Sequence, residues 1–479
     1  MDRKAKIVAT LGPASHSAEM IRRLVIAGMD VARLNFSHGS HEEHAELIRC
    51  LRTISNELNR PVAILQDLQG PKIRVGHLPE PLDLVIGEQV KLYEAGGPTP
   101  AGEGHVVPVV FPEFFSMVHG GERILLDDGR IELLVAQATG GEITAVVKSG
   151  GKLTSHKGFN LPGIPLDIPG FTEKDKADLV FGMSQQVDMV AISFVRTSGD
   201  VEAIRQAISK MEENYPRPLI IAKLERPEAL ENLEAILLAS DGVMVARGDL
   251  GVEMPPERVP TAQKRIIHEA NRQRKIVITA TQMLESMITN PLPTRAEASD
   301  VANAIFDGTD AVMLSGETAN GDYPEESVLM MDRIVREAEG NFLEWGHFTA
   351  ADNFTEDDAE AITRAACELA HDLNVAAIAV FTQTGRTALI MSKTRPLVPI
   401  FAFTPSPGVL SRLSTLWGVR PVVVPLGRTL EEMVNTASNY LVETRIIEKG
   451  KQVVFIGGYP VESIRPPNMA MLHTLGEVL

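Results

Sequence analysis

The sequence predicts an α/β protein built on a (β/α)8 barrel, with a small β domain inserted into it and an open α/β domain at the C-terminal end. Three observations lead there. Eight short β-branched runs alternate with longer amphipathic stretches, the pattern of parallel βα units, and eight such units close a barrel. Roughly 120 residues separate the third run from the fourth, far more than a crossover helix needs, so a unit is inserted there. After Met330 the rhythm changes again. For a chain of 479 residues, at roughly 150 per domain, about three compact units are expected.

The barrel runs occupy 6–11 (KIVATL), 31–36 (VARLNF), 62–68 (VAILQDL), 189–194 (MVAISF), 219–225 (LIIAKLE), 242–249 (GVMVARGD), 275–282 (KIVITATQ) and 310–317 (DAVMLSGE). Residues 71–168 are rich in Gly, Pro and Val, with alternating runs such as 143–148 and the tight turn Asp128-Gly129, which reads as a small antiparallel β unit. The barrel resumes near Phe171, where Thr172-Glu173-Lys174-Asp175 has the form of a helix start. Helical periodicity over 356–373 then leads to runs at 376–382, 398–404, 419–424 and 452–457. The expected division is therefore 1–70 with 169–342 for the barrel, 71–168 for the insert and 343–479 for the last domain.

Hydrophobic residues make up 44% and charged residues 23%, enough for a sizeable core. The balance of 46 basic to 63 acidic residues leaves a net charge of −17, which argues against general affinity for nucleic acid or anionic membranes. An anionic ligand therefore needs a local basic cluster set against that field. Cys50 and Cys367 lie far apart without a CxxC partner, which excludes a disulfide framework and a zinc site and suits a reducing cytoplasm. No apolar run reaches the roughly 18 residues of a membrane span, and the N-terminus lacks a signal-peptide pattern. A soluble, cytoplasmic protein is expected, with neither nucleic acid nor membrane as partner.

In such a barrel, polar residues at the C-terminal strand ends converge on one mouth. The ends supply Arg33, Asn35, Ser37, Asp67, Lys223, Glu225, Arg247, Asp249, Thr281, Gln282, Ser315 and Glu317. Carboxylates for a hard divalent cation beside fixed cations for an anionic substrate suit phosphoryl transfer. Glu225 and Asp249 either hold Mg²⁺ or are salt-bridged to Lys223 and Arg247; spacing leaves both open. Lys223, two residues before Glu225, points to the same sheet face, where a lysine without a role is costly. Residues 247–251 (RGDLG) let backbone N–H groups approach an anion, although turns use glycine for many reasons. His38, His41 and His44 recur every three residues, whereas zinc helices favour i, i+4 pairs. His41 and His44 are expected on a solvated helix start, with His38 reaching toward a nucleotide. Thr281 either orients a proton or is a packed β residue. Thr382-Gln383-Thr384-Gly385-Arg386-Thr387, between a strand and a helix, is either a phosphate cradle or a capped turn.

Taken together, 6–15 (KIVATLGPAS), 32–40 (ARLNFSHGS), 67–74 (DLQGPKIR), 222–225 (AKLE), 245–252 (VARGDLGV) and 279–309 resemble signatures of the pyruvate kinase family, and the resemblance spans essentially the whole chain. It implies a catalytic barrel, a mobile small β-barrel lid after the third strand, a regulatory C-terminal domain and a homotetramer. The implied reaction, the last step of glycolysis, moves the phosphoryl group of phosphoenolpyruvate to ADP and releases pyruvate and ATP. The implied metal is Mg²⁺, with Mn²⁺ as a substitute. Lys223 is implied to stabilise the transferring phosphoryl group, Glu225 and Asp249 to hold the metal, and Arg33 to grip the substrate phosphate. Gly248 and Asp249 would offer N–H groups to the substrate carboxylate, and Thr281 would sit near the carbon that is protonated. His38, Arg74 and Lys157 match nucleotide contacts. Asn35, Ser37, Asp67 and Leu68 match a monovalent-cation site.

Three positions depart from the family pattern. Lys72 stands where K⁺-requiring members usually have a glutamate, and Leu68 where they have a threonine. The Lys72 ammonium is expected to supply the charge of K⁺ near Asn35, Ser37 and Asp67, so added K⁺ should not be required. Asn320 stands where a lysine is common. Residues 457–468 (GGYPVESIRPPN) lack the glycine-rich loop of fructose-bisphosphate-regulated members, so a sugar monophosphate or AMP is the expected effector, held by Thr382, Thr384, Gly385, Arg386 and Thr387. Two other readings compete. A Mg²⁺-dependent aldolase or lyase explains the carboxylates and Lys223, but not Lys157 and Arg74. A non-catalytic metabolite-binding protein leaves the intact Lys223, Glu225, Asp249 and Thr281 without purpose.

Overall fold

Strand Lys6–Leu11 is buried at every position, as a parallel strand covered on both faces must be. The same holds for Ala63–Asp67, Met189–Ile192, Gly242–Ala246, Ile276–Ala280 and Ala311–Leu314. With Val31–Asn35 and Leu219–Leu224 they form a closed eight-stranded parallel barrel, in which Lys6 of the first strand pairs with Ala311 of the last. The computed structural model describes residues 3–101, 104–111, 113–164, 170–211, 217–346, 355–425, 427–461, 465–477 and 479.

Period-two alternation sorts the strand side chains. Ile7, Ala9 and Leu11 face the surrounding helices, whereas Val8, Val31, Leu65, Met189, Ile221 and Met244 fill the interior. That interior cluster runs on into Val375, Ile378 and Ile400 of the last domain, which plugs the floor of the barrel. Helix starts are locally encoded: Ser40 with Glu43, Thr172 with Asp175 and Thr294 with Glu297 form reciprocal capping boxes.

Between the third and fourth barrel strands, six strands form a sheet in the order Phe159–Asn160, Arg123–Leu126, Ile131–Thr139, Glu142–Ser149, Gln89–Glu94 and His105–Val109. All pairs are antiparallel except the last. Asp127, Asp128 and Gly129 have φ of 52°, 55° and 82°, the left-handed backbone a tight hairpin turn requires. Arg74 bridges Gly158 beside one edge and Val75 bridges Val109 at the other, so a single pass of chain ties the sheet edge to edge. The insert has its own core, from Ile73 and Val75 to Leu161 and Ile164. Its expected end at 168/169 lies outside the described residues.

The last domain has strands in the order Val419–Val423, Ile400–Thr404, Ala377–Phe381, Gln452–Gly457 and Met469–Thr474. The first four are parallel and were legible as apolar runs. The fifth, MAMLHT, is an antiparallel edge strand that alternation did not reveal, because most of its residues are half-buried on both faces. Among the described residues, no helix is long and apolar enough to cross a membrane.

Candidate active site

Six polar residues interlock at the barrel mouth. Lys223 Nζ donates to Ser193 Oγ at 2.8 Å and pairs with Glu225 Oε1 at 2.8 Å and Asp67 Oδ1 at 3.3 Å. Arg33 reaches Asp67 Oδ2 through Nη2 at 2.6 Å and Nε at 2.7 Å, and its Nη1 donates to Thr10 Oγ1 at 3.0 Å. Glu225 Oε2 accepts the Phe194 N–H at 2.8 Å. Period-two geometry explains the set, because Lys223 and Glu225 share one face of the chain, and Arg33 and Asp67 lie on adjacent paired strands two positions apart in register.

Burial lowers the Lys223 pKa by itself, but Asp67 and Glu225 outweigh it, so the ammonium titrates well above the ordinary lysine range. Burial raises Asp67, and here Lys223 and Arg33 win and hold its carboxyl below the usual value. Glu225 goes the other way. Burial and the nearby Asp249 carboxylate push it up against the opposing pull of Lys223. Asp249, in the first turn of helix Arg247–Glu253, therefore belongs to the same electrostatic unit.

Thr281 and Gln282 have φ of 67° and 53°, the left-handed region that a β-branched residue rarely enters. Thr281 Oγ1 accepts the Gly248 N–H at 2.7 Å and donates to Ala280 O at 2.6 Å. This N–H, matched to the substrate carboxylate by resemblance, is thus engaged within the protein. Arg247 does not face the mouth as a free cation. Its guanidinium turns behind the strand ends, donating to Thr281 O at 2.6 Å and Ala280 O at 3.2 Å and pairing with Asp300 at 2.6 Å. It clamps the strained turn. Glu317 also leaves the mouth; it is wholly buried and accepts the Leu284 and Ser315 N–H groups at 3.0 and 2.7 Å.

On the insert-facing side, His38 is exposed, and burial together with Arg74, Lys72 and Arg33 holds its pKa below the ordinary value. These cations form the local basic cluster that an anionic ligand needs in an acidic protein. Lys72 is exposed. Burial, Lys223 and Arg74 lower its pKa, opposed by Asp249 and Glu225. Arg74 Nη1 donates to His156 O at 3.2 Å, and Lys157 pairs with Asp127 at 2.6 Å. Asn35 Oδ1 accepts the Ser37 N–H at 3.1 Å, and the Leu68 carbonyl accepts from Ser193 Oγ at 2.8 Å.

One expectation for the histidines fails. His44 is buried, stacked on Phe36 with ring centroids 4.1 Å apart, and its Nε2 lies 3.0 Å from His38 O. His41 stacks on Phe181 and pairs with Asp178 at 2.7 Å. Phe36, just past the second strand, draws the His44 ring inward, whereas His41 stays partly exposed at the helix start, its ring against Phe181 of helix Glu173–Ser184. Ser193 and Thr10 were missed in the sequence, although each is a polar residue inside an apolar run, the signal that could have found them.

In the last domain, Thr382, Thr384, Arg386 and Thr387 line a cavity of about 310 Å³ that Arg465 also borders. Thr382 Oγ1 accepts the Gly385 N–H at 2.9 Å, and Arg386 pairs with Asp357 at 3.1 Å. Gly385, at φ 94°, caps helix Arg386–Lys393 and faces Val409 and Leu413 instead of this cavity. The segment 457–468 lies partly outside the described residues.

Two family models match the chain: "Pyruvate kinase, barrel domain" over residues 2–328 and "Pyruvate kinase, alpha/beta domain" over 360–473. Among curated relatives, one from Clostridium acetobutylicum named Pyruvate kinase is 42% identical over 98% of this chain and 99% of its own. One of the same name from Geobacillus stearothermophilus is 44% identical over 100% of this chain and 81% of its own. Another from Mycobacterium tuberculosis, also so named, is 41% identical over 100% of this chain and 99% of its own.

Proposed function

Since the chain belongs to the pyruvate kinase family, we propose that its barrel mouth transfers the phosphoryl group of phosphoenolpyruvate to ADP with Mg²⁺ held by Glu225 and Asp249. The observation that carries this reading is the Lys223 ammonium, kept charged between Asp67 and Glu225 at the strand ends. A fixed cation there neutralises the charge spread over a phosphoryl group in flight.

The donor set fits Mg²⁺. Glu225 and Asp249 offer hard carboxylate oxygens, and their mutual repulsion is a cost that a divalent cation relieves. No group of three or more His, Cys, Asp or Glu suited to a metal occurs among the described residues; Mg²⁺ commonly uses one or two carboxylates with waters and substrate phosphates. When bound, it supplies Lewis-acid neutralisation of substrate oxygens, and Mn²⁺ can take its place.

Arg33, anchored by Asp67 and Thr10, is oriented to grip the substrate phosphate. Gly248 and Asp249 line the carboxylate side. Thr281 acts as a positioning residue near the carbon that is protonated, because an unperturbed hydroxyl is too weak an acid and a neighbouring water is the better donor. His38, Arg74 and Lys157 receive the nucleotide, and closure of the insert over the mouth excludes water and strengthens each charge contact.

Lys72 replaces K⁺, supported by the electrostatic coupling of its ammonium to Lys223, Asp249 and Glu225. Thr382, Thr384, Gly385, Arg386 and Thr387 form the effector loop for a sugar monophosphate or AMP, supported by the cavity that all of them but Gly385 border. A homotetramer is supported by Leu343 and Trp345, 80% and 59% exposed, with Trp345 beside an apolar groove between helices Arg295–Phe306 and Pro324–Gly340. The barrel takes 1–70 and 169–342, the insert 71–168 and the last domain 343–479, a cut at 342/343 that falls inside the short helix Phe342–Trp345.

A coupled assay of pyruvate formation from phosphoenolpyruvate, with and without ADP and Mg²⁺ and with a panel of sugar phosphates and AMP, tests the whole reading. ADP-dependent pyruvate release is expected; metal-independent release, or release without ADP, overturns it.

A further inference from the structure

The residue that follows Glu225 is an arginine with nowhere to go but inward. Arg226 is among the largest fully buried side chains of the protein, with a side-chain exposure of 2%. An arginine so placed is costly unless its N–H groups are partnered. Its partners come from three directions. Nε and Nη2 donate to Glu228 at 3.3 and 3.1 Å, and Nη2 also donates to the Ile164 carbonyl at 3.2 Å. Glu253 Oε2 lies 3.8 Å from Nη2. Glu253 is equally buried, and its Oε1 accepts from Asn160 Nδ2 at 3.1 Å.

These contacts join two parts of the molecule that the mouth needs in register. Asn160 ends the last strand of the inserted sheet, and Ile164 lies just beyond it. Glu253 ends helix Arg247–Glu253, whose first turn carries Gly248 and Asp249. The same helix meets the insert a second time. A Cβ added at Gly129 would lie 3.6 Å from Val252, and Gly129 belongs to the turn that contains Asp127, the partner of Lys157.

We propose that Arg226 is a positioning residue: with Glu253 and Asn160 it latches the returning strand of the lid onto the helix that bears Asp249. The latch sets how far the lid cations stand from the mouth. It rests on the catalytic reading above, and its consequence falls on the nucleotide, which the lid receives, more than on phosphoenolpyruvate, which the barrel receives.

Asn160→Ala cuts the latch on the lid side without touching the mouth. Loss of a hydrogen bond to a charged group is expected to raise KM for ADP about tenfold, with kcat and KM for phosphoenolpyruvate within about twofold. Glu253→Gln, which keeps the acceptor oxygen but not the charge, should show a smaller shift in the same direction. Arg226→Lys should not rescue, since one ammonium cannot reach Glu228 and Ile164 together. Thermal midpoints check that each variant is folded, and Asn160→Ala stands as the decisive variant should Arg226→Lys fail to fold. ADP affinity is also read by calorimetry, so a chain without turnover still tests the latch. Absence of pyruvate formation in the unaltered chain overturns the proposed function. Unchanged ADP affinity and KM in both Asn160→Ala and Glu253→Gln overturn the latch alone.

Discussion

Two lysines are buried at opposite ends of one barrel, and burial leaves them in opposite states. At the mouth, Lys223 faces Asp67 and Glu225, with Asp249 beyond, and titrates well above the ordinary lysine range although burial alone lowers it. At the floor, Lys393 of the last domain shares the single carboxylate of Asp310 with Arg395, and its pKa drops to about 8, chiefly through burial. Depth does not separate them, since both are almost out of solvent. The number of acids per cation does. The mouth carries a surplus of carboxylate that a metal ion and a substrate can use, whereas at the floor Asp310 is shared by two cations of the last domain, with Lys393 Nζ also donating to Asn271 at 2.8 Å.

The comparison breaks first at Lys223. Lys223→Met removes the fixed cation and should lower kcat of the folded protein by on the order of 1,000-fold. A variant that keeps more than a tenth of its turnover in single-turnover measurements would refute the electrostatic role. At the floor the balance should invert. Asp310→Asn leaves Lys393 and Arg395 without their acid and should destabilise the chain by about 3–5 kcal/mol in urea unfolding, while kcat of the folded fraction stays within about threefold.

Titration sharpens the contrast. Folded, Lys393 releases its proton at about 8, against an ordinary value of 10.5. Between those two values the unfolded chain holds the extra proton, so this group makes folding more favourable as pH rises through the window and contributes a constant penalty below it. Urea midpoints measured from pH 7.5 to 10.5 should therefore have a more positive slope in the unaltered chain than in Lys393→Met; equal slopes would remove Lys393 as the cause. The smallest effect concerns Lys72. Replacing K⁺ by Na⁺ or tetramethylammonium at fixed ionic strength should change turnover less than about twofold. A large selective stimulation by K⁺ would show that the ammonium does not serve as the monovalent cation.

Much of this was legible beforehand. Eight apolar runs announced the barrel because a strand buried on both faces must be apolar throughout, and the long gap after the third run announced the insert. Arg33, Asp67, Lys223 and Glu225 could be picked out as polar residues closing such runs. Arg247 shows the limit of that reasoning. It closes a run just as Lys223 does, yet it turns away to clamp the left-handed turn at Thr281, because the chain begins a helix at that residue and redirects its side chain. Arg226 and Glu253 were invisible for a related reason: each looks like a surface charge until the insert closes over it.

The sequence by itself determined which segments become strands and helices and which residue types end the barrel staves, since periodicity and capping act over a few neighbouring positions. Tertiary structure alone decided the charge states of Lys223 and Lys393, the burial of His44 and the seating of the insert on helix Arg247–Glu253. Coulombic forces and desolvation act through space, and the groups that settle each balance are brought together only when the chain has folded.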